Sequence, residues 1–121
     1  QTIDIILSLL DGGNRYVLSL NVPNEGQITN ITRGGIIEIP AIIGADKIYG
    51  LHMGELPPAI ATLMETQLYV MDLVIDAAVT GDRQTALEAL SVDPCVPSPA
   101  VAEKIFDDMV KVQAELLPQF R

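Results

Sequence analysis

The chain has 121 residues, 16 of them acidic and 7 basic, for a formal net charge of −9. That balance repels phosphate backbones and anionic headgroups, so it argues against nucleic acid and membrane surfaces as partners. With 49 % hydrophobic and only 4 % aromatic residues, and no Trp, the composition implies one folded domain with an aliphatic core.

The lone cysteine, Cys95, leaves no intrachain disulfide and fits a reducing, cytoplasmic setting. Ile3 to Leu10 is too short and lacks the basic start of a signal peptide. No apolar run reaches the roughly 18 residues of a membrane span.

In chain order, residues 2–10 read as a helix already under way at the first residue, which suggests the tail of a longer helix. Asp11-Gly12-Gly13-Asn14 ends it, with glycine suited to a left-handed cap. Tyr16 to Val22 is a strand that Pro23 stops, because proline cannot donate to the ladder. Residues 24–35, rich in Gly, Asn and Thr, form a loop. Gly35 to Ile43 is a second strand and Lys47 to His52 a third, joined through Gly44-Ala45-Asp46 as a hairpin.

Then the period changes. Leu56-Pro57-Pro58 opens a long helix with Ile60, Leu63, Met64, Leu68, Met71, Val74, Ile75 and Ala78 on one face, ending at Thr80-Gly81. Asp82 caps a helix from Arg83 to Leu90, and Ser91 to Pro97 connects. Ser98-Pro99 starts a last helix reaching about Leu117, with Val101, Ile105, Met109, Val112 and Leu116 on one face, and Pro118 stops it. The expected class is α+β: a small antiparallel or mixed sheet followed by three helices able to cover one face.

No nucleophile–base pair is visible, and no catalytic residue is assigned. His52 and Cys95 are too few ligands for a zinc site; His52 reads as incidental and Cys95 as a small packing residue. Glu38 either faces solvent or pairs with an Arg across a boundary. Asp72 and Asp76, four apart, read as a solvated helix flank. No glycine pair follows a strand and opens a helix, so no dinucleotide fingerprint is present. The loop is the best local candidate for a site. Asn21, Asn24, Gln27 and Asn30 carry amides suited to hydroxyl-rich ligands, and Gly26 allows close backbone approach. The competing reading is a set of residues that simply satisfies a tight loop.

One ordered set of short motifs is more specific. Asn21-Val22-Pro23-Asn24, Gly26, Ile28, Asn30 and Ile37-Glu38-Ile39-Pro40 are followed by Gly54-Glu55-Leu56-Pro57. Ile75-Asp76-Ala77-Ala78, Gly81-Asp82-Arg83, Ala86-Leu87-Glu88-Ala89-Leu90 and Asp93-Pro94 come next, then Leu117-Pro118-Gln119-Phe120 near the end. In this order the chain resembles the C-terminal part of the NAD- and metal-dependent glycosidases of glycoside hydrolase family 4. It departs from that pattern with Ile31-Thr32 in place of Leu-Pro and Lys47 in place of a hairpin Gly.

The resemblance implies the C-terminal domain of a lactate/malate dehydrogenase-like fold, here one domain over residues 1–121 of a longer enzyme. It implies an enzyme that oxidises the sugar at C3 with NAD, eliminates the glycosidic bond and uses a divalent metal such as manganese. The family's dinucleotide site, metal-binding Cys and His, and catalytic Tyr belong to upstream sequence. None maps onto Cys95 or His52, so this chain is expected to bind neither NAD nor metal. Asn21, Asn24, Gly26 and Asn30 are expected to border the substrate pocket. The expected partners are a missing N-terminal Rossmann domain, the glycoside substrate and further copies in a homo-oligomer, with the isolated chain inactive. The alternative is a stand-alone oligomerisation or sugar-binding module without catalysis.

Overall fold

The protein is described by a computed structural model over residues 2–120. In chain order it holds α1 (Thr2–Asp11), β1 (Arg15–Pro23), β2 (Ile36–Ile43), β3 (Ile48–Gly50), α2 (Pro58–Thr80), α3 (Arg83–Val92) and α4 (Pro99–Val112). A 3-10 turn at Pro118–Phe120 follows. The α+β class holds, with one antiparallel three-stranded sheet in the order β1-β2-β3. The chain divides into two units, residues 1–61 and 62–121.

In the first unit β2 is the central strand, and its alternation is clean. Ile37, Ile39, Ala41 and Ile43 are buried, whereas Ile36 and Glu38 are exposed. Val22, Ile28 and Ile31 are also buried. Each of the six large apolar residues among them contributes roughly 2 kcal/mol on leaving water. Glu38 sits on the open face, where it accepts a hydrogen bond from the Ser19 hydroxyl.

Pro23 does not stop β1; it pairs with Ile36 in the ladder. The reason is position: β1 is an edge strand, where a missing N–H costs nothing if it points outward. The register shifts between Val17 and Leu20, an irregularity that bends the edge. β3 is shorter than its sequence suggests and leaves His52 outside it. After Leu51 the backbone turns away to bond the polar loop.

Helix α1 stops as expected, at Gly12 with φ 74 and its N–H on the Ser8 carbonyl. Ser8 is the residue it buries completely, its hydroxyl turned back onto the Asp4 carbonyl. Ile3, Ile6, Leu7 and Leu10 face out.

In the second unit α3 begins on Asp82, whose carboxylate accepts from the Thr85 N–H at 2.8 Å and the Thr85 hydroxyl at 2.6 Å. These bonds hold the Asp82 carboxyl below its ordinary value of 3.8, so its capping energy is fully present above that value. It is lost as pH falls through the lower folded value. Asp82→Ala is therefore expected to lower the melting temperature at neutral pH. As pH falls from 3.8 through that lower value the difference should shrink, since the wild-type cap is then being protonated. Melting curves of both proteins from pH 7 downward check this.

Helix α4 starts as the sequence implies, on Ser98 with Pro99 in its first turn, but ends at Val112 rather than near Leu117. The Leu116 and Leu117 amides both turn back onto the Gln113 carbonyl, and Pro118 opens the 3-10 turn instead of ending a helix. Phe120 packs edge-to-face on Phe106, with ring centroids 5.3 Å apart.

The helical stripes differ most from expectation. On α4 the buried residues are Ala102 and Phe106, whereas Val101, Ile105, Met109 and Val112 are exposed, Val112 at 79 %. On α2, Leu68, Val70 and Ala77 are buried, and Leu63, Met71, Val74 and Ile75 are exposed. Both helices carry apolar residues around more than one arc, so periodicity alone does not select the arc that packs.

Candidate functional site, the polar loop of residues 24–35

The loop is built around one side chain. Asn24 is 1 % exposed, with its amide turned inward. Its Nδ2 donates to the carbonyls of Ile28, Ile31 and Thr32 at 3.0, 3.2 and 3.1 Å. Its Oδ1 accepts from the Gly26 and Ile28 N–H groups at 3.2 and 3.1 Å. The Asn24 backbone closes the loop's mouth, donating to Gly35 and accepting from Gly34, both at 2.8 Å. Backbone groups that have no strand partner are thus satisfied by one amide.

Asn30 ties the loop to the segment after β3. Its Nδ2 donates to the Leu56 carbonyl at 2.8 Å, and its Oδ1 accepts from the Leu56 N–H at 2.9 Å. Gln27 carries the same seam, its carbonyl accepting from Met53 and Gly54, and Ile28 bridges to Gly54 in parallel. Gly54 therefore belongs to the loop's support, which explains why Gly54-Glu55-Leu56 accompanies it in sequence.

Gly26 has φ 114, a backbone conformation closed to most side chains. The guanidinium of Arg33 lies over it, 2.9 Å from where a Cβ would stand, and Arg33 Nη2 donates to the Glu25 carbonyl at 2.9 Å. Asn21 is exposed near the end of β1, opposite Glu38 in the ladder. Asn24, Gly26 and Asn30 therefore share one loop, and Asn21 stands on the strand leading into it. The Asn24 amide is buried and the Asn30 amide is bonded to the Leu56 backbone at the surface, and the loop's exposed polar residues also include Glu25, Thr29, Thr32 and Arg33. Sequence reading passed over Arg33, although an Arg beside Gly34-Gly35 is the signal that marks it.

Among the described residues no group of three His, Cys, Asp or Glu could hold a metal ion. Gly26 and Gly34 lie in a loop between two strands, so no strand-to-helix turn is present here to cradle a dinucleotide. His52 is exposed, and so is Cys95, which is therefore not the packing residue its place between prolines implied. No helix among the described residues is long and apolar enough to cross a membrane.

A profile of the family 4 glycosyl hydrolase C-terminal domain matches residues 1–96. The chain belongs to glycoside hydrolase family 4. The family 4 domain is 36 % identical over 100 residues to a maltose-6'-phosphate glucosidase of Clostridium acetobutylicum, covering 83 % of this chain and 23 % of that one. It is 34 % identical over 121 residues to an α-galactosidase of Rhizobium meliloti, covering 95 % and 24 %. Among solved structures it superposes on a 6-phospho-α-glucosidase from gut microorganisms, in complex with NAD and glucose 6-phosphate. There the TM-score is 0.87 at 27 % identity, covering 93 % of this chain and 25 % of that chain. The family 4 domain thus spans about a quarter of the length of the relatives it matches. Its loop and its Gly54-Glu55-Leu56 support both fall inside the matched residues.

Proposed function

We propose that this chain is the C-terminal domain of a family 4 glycosidase and that its polar loop borders the glycoside pocket of that enzyme. The observation that carries the reading is the match over residues 1–96 together with coverage of only about a quarter of each relative. The whole enzyme would hydrolyse O-glycosidic bonds by NAD-dependent oxidation and elimination, with a divalent metal such as manganese. When bound, those groups supply hydride acceptance and stabilisation of negative charge on the sugar oxygens. Their ligands would lie in the other three quarters of the enzyme, in a cytoplasmic protein.

This domain's share is positioning. The loop over residues 24–35 is stiffened by Asn24 and tethered by Asn30. A wall so braced fixes the groups that face the sugar without rearranging during turnover. In this reading Asn24 and Asn30 act by holding the loop, while Asn21 and the Gly26 backbone face the ligand. The exposed apolar side chains of α1, α2 and α4 would be covered by the Rossmann domain and by neighbouring subunits of a homo-oligomer.

Capturing the native protein from its source cells and weighing it intact tests this. A product about four times the length of this chain, with glycosidase activity that needs NAD and a divalent metal, is expected. A native product near 13.0 kDa would overturn the reading and favour a stand-alone sugar-binding or oligomerisation module.

A further inference from the structure

We propose that the turn over residues 117–120 is a strap that lifts and closes as one piece over an apolar groove of the second unit, with Gly81 as its seat. Two short motifs, Gly81-Asp82-Arg83 and Leu117-Pro118-Gln119-Phe120, are the two halves of this device.

Helices α2, α3 and α4 form three walls of a groove of about 280 Å³, and the turn forms the fourth. The lining is apolar apart from Gln119 and includes Ala77, Ala89 and Phe106, all buried. The helical walls are fastened. Asp82 caps α3. Arg83 lies over the Phe106 ring, 5.3 Å from its centroid, and donates to the Asp107 carboxylate at 3.1 Å, which ties the start of α3 to α4.

The turn is held differently. The Leu117 N–H donates to the Gln113 carbonyl at 3.0 Å, and the Phe120 N–H to the Leu117 carbonyl at 3.3 Å. Among the described residues no hydrogen bond runs from the turn to α2 or α3. Packing keeps it down. Phe120 stands edge-to-face on Phe106, and the Gln119 carbonyl oxygen occupies the place of a Cβ on Gly81. Pro118 and Gln119 are exposed, and the proline ring fixes one φ, so the turn keeps its shape when it lifts. A segment with few buried contacts and no hydrogen bond to its support opens at lower free energy than the helices beside it.

The seat accounts for glycine at position 81 beyond its capping role. Gly81 has φ 71 and its N–H on the Ala77 carbonyl at 2.9 Å, a helix end at which Asn also serves. The Gln119 backbone leaves no room for an Asn Cβ. Gly81→Asn therefore keeps the cap and removes the seat.

The test is NMR of the 121-residue chain, following the ring contact between Phe106 and Phe120, the Cα shifts of α3 and α4, and hydrogen exchange. In the wild type the ring contact is expected, with the Leu117 and Phe120 amides exchanging at least about tenfold faster than those of α3 and α4 and with little dependence on urea. In Gly81→Asn the ring contact should be lost and exchange at Leu117 should rise by about tenfold or more, while the Cα shifts of α3 and α4 stay helical.

A ring contact retained in Gly81→Asn would overturn the role of the seat and with it the strap. Wild-type exchange at Leu117 and Phe120 with the rate and urea dependence of the helices would show one cooperative unit and would also overturn it. Should Gly81→Asn unfold altogether, Phe120→Ala decides, since it leaves the seat intact and removes the anchor. Fast exchange at Leu117 with helical shifts kept supports the strap, and loss of the helical shifts in both variants overturns it.

Discussion

Gly81→Ala is expected to destabilise the second unit by about 3 kcal/mol or more, from two costs that add. Gly81 has φ 71, where an L side chain is strained by about 1–2 kcal/mol. A Cβ there would also overlap the backbone carbonyl oxygen of Gln119, with its carbonyl carbon at 3.1 Å and its Cβ at 3.2 Å. Backbone cannot swing aside as a flexible side chain would. The 3-10 turn that places Phe120 on Phe106 would have to lift. A fall of roughly 10 °C in melting temperature is expected. Gly34→Ala is the control: φ is 89 but nothing lies within 4 Å, so only the conformational cost of about 1–2 kcal/mol applies. Urea denaturation of the two variants compares them directly. Equal losses would show that the contact with the C-terminal turn contributes nothing.

Asn24→Ala is expected to cost about 3–4 kcal/mol and to loosen the whole loop. The five bonds of that amide end on backbone groups, so deleting it leaves carbonyls and N–H groups buried without partners. Denaturation measures the cost, and hydrogen exchange at Gly26 and Ile28, whose amides donate to Asn24, should accelerate as the loop opens.

Asn24→Asp sharpens the point. A carboxylate would aim one oxygen at the carbonyls of Ile28, Ile31 and Thr32, where Nδ2 now donates. Burial and the facing carbonyl dipoles would raise its folded pKa above the unfolded value of about 3.9. A protonated Asp is then favoured in the folded state, so this variant should gain stability relative to wild type as pH falls through the raised value. A variant equally unstable at pH 7 and pH 4 would count against this account of the loop.

Both residues belong to motifs visible in the sequence, and the two cases differ in how much could be read there. Glycine after α2 and an aspartate cap on α3 are local signals, and Gly81-Asp82 behaves as local chemistry requires. Asn24 was legible as a loop asparagine, but not the direction its amide takes. That depends on carbonyls up to eight residues away, which converge only when the loop folds. Asn30 depends on Leu56, 26 residues away, and nothing in either local segment announces the pairing. Arg33 went unremarked because its place is relational: it stands over Gly26 and bonds the Glu25 carbonyl, eight residues away. Pro23 misled for the same reason, since whether a proline fits a strand depends on whether that strand is an edge.

The sequence by itself determined the elements, their order, the α+β class and membership of glycoside hydrolase family 4. Hydrophobic period, caps and turn residues act over a few positions, and the order of short motifs is a property of the chain alone. Only the tertiary structure decided which arc of α2 and α4 packs and which amides are spent in holding the loop. Those outcomes are competitions between partners distant in sequence. A helix with two apolar arcs buries the one that finds a surface, and an amide bonds whichever backbone groups the fold leaves unsatisfied.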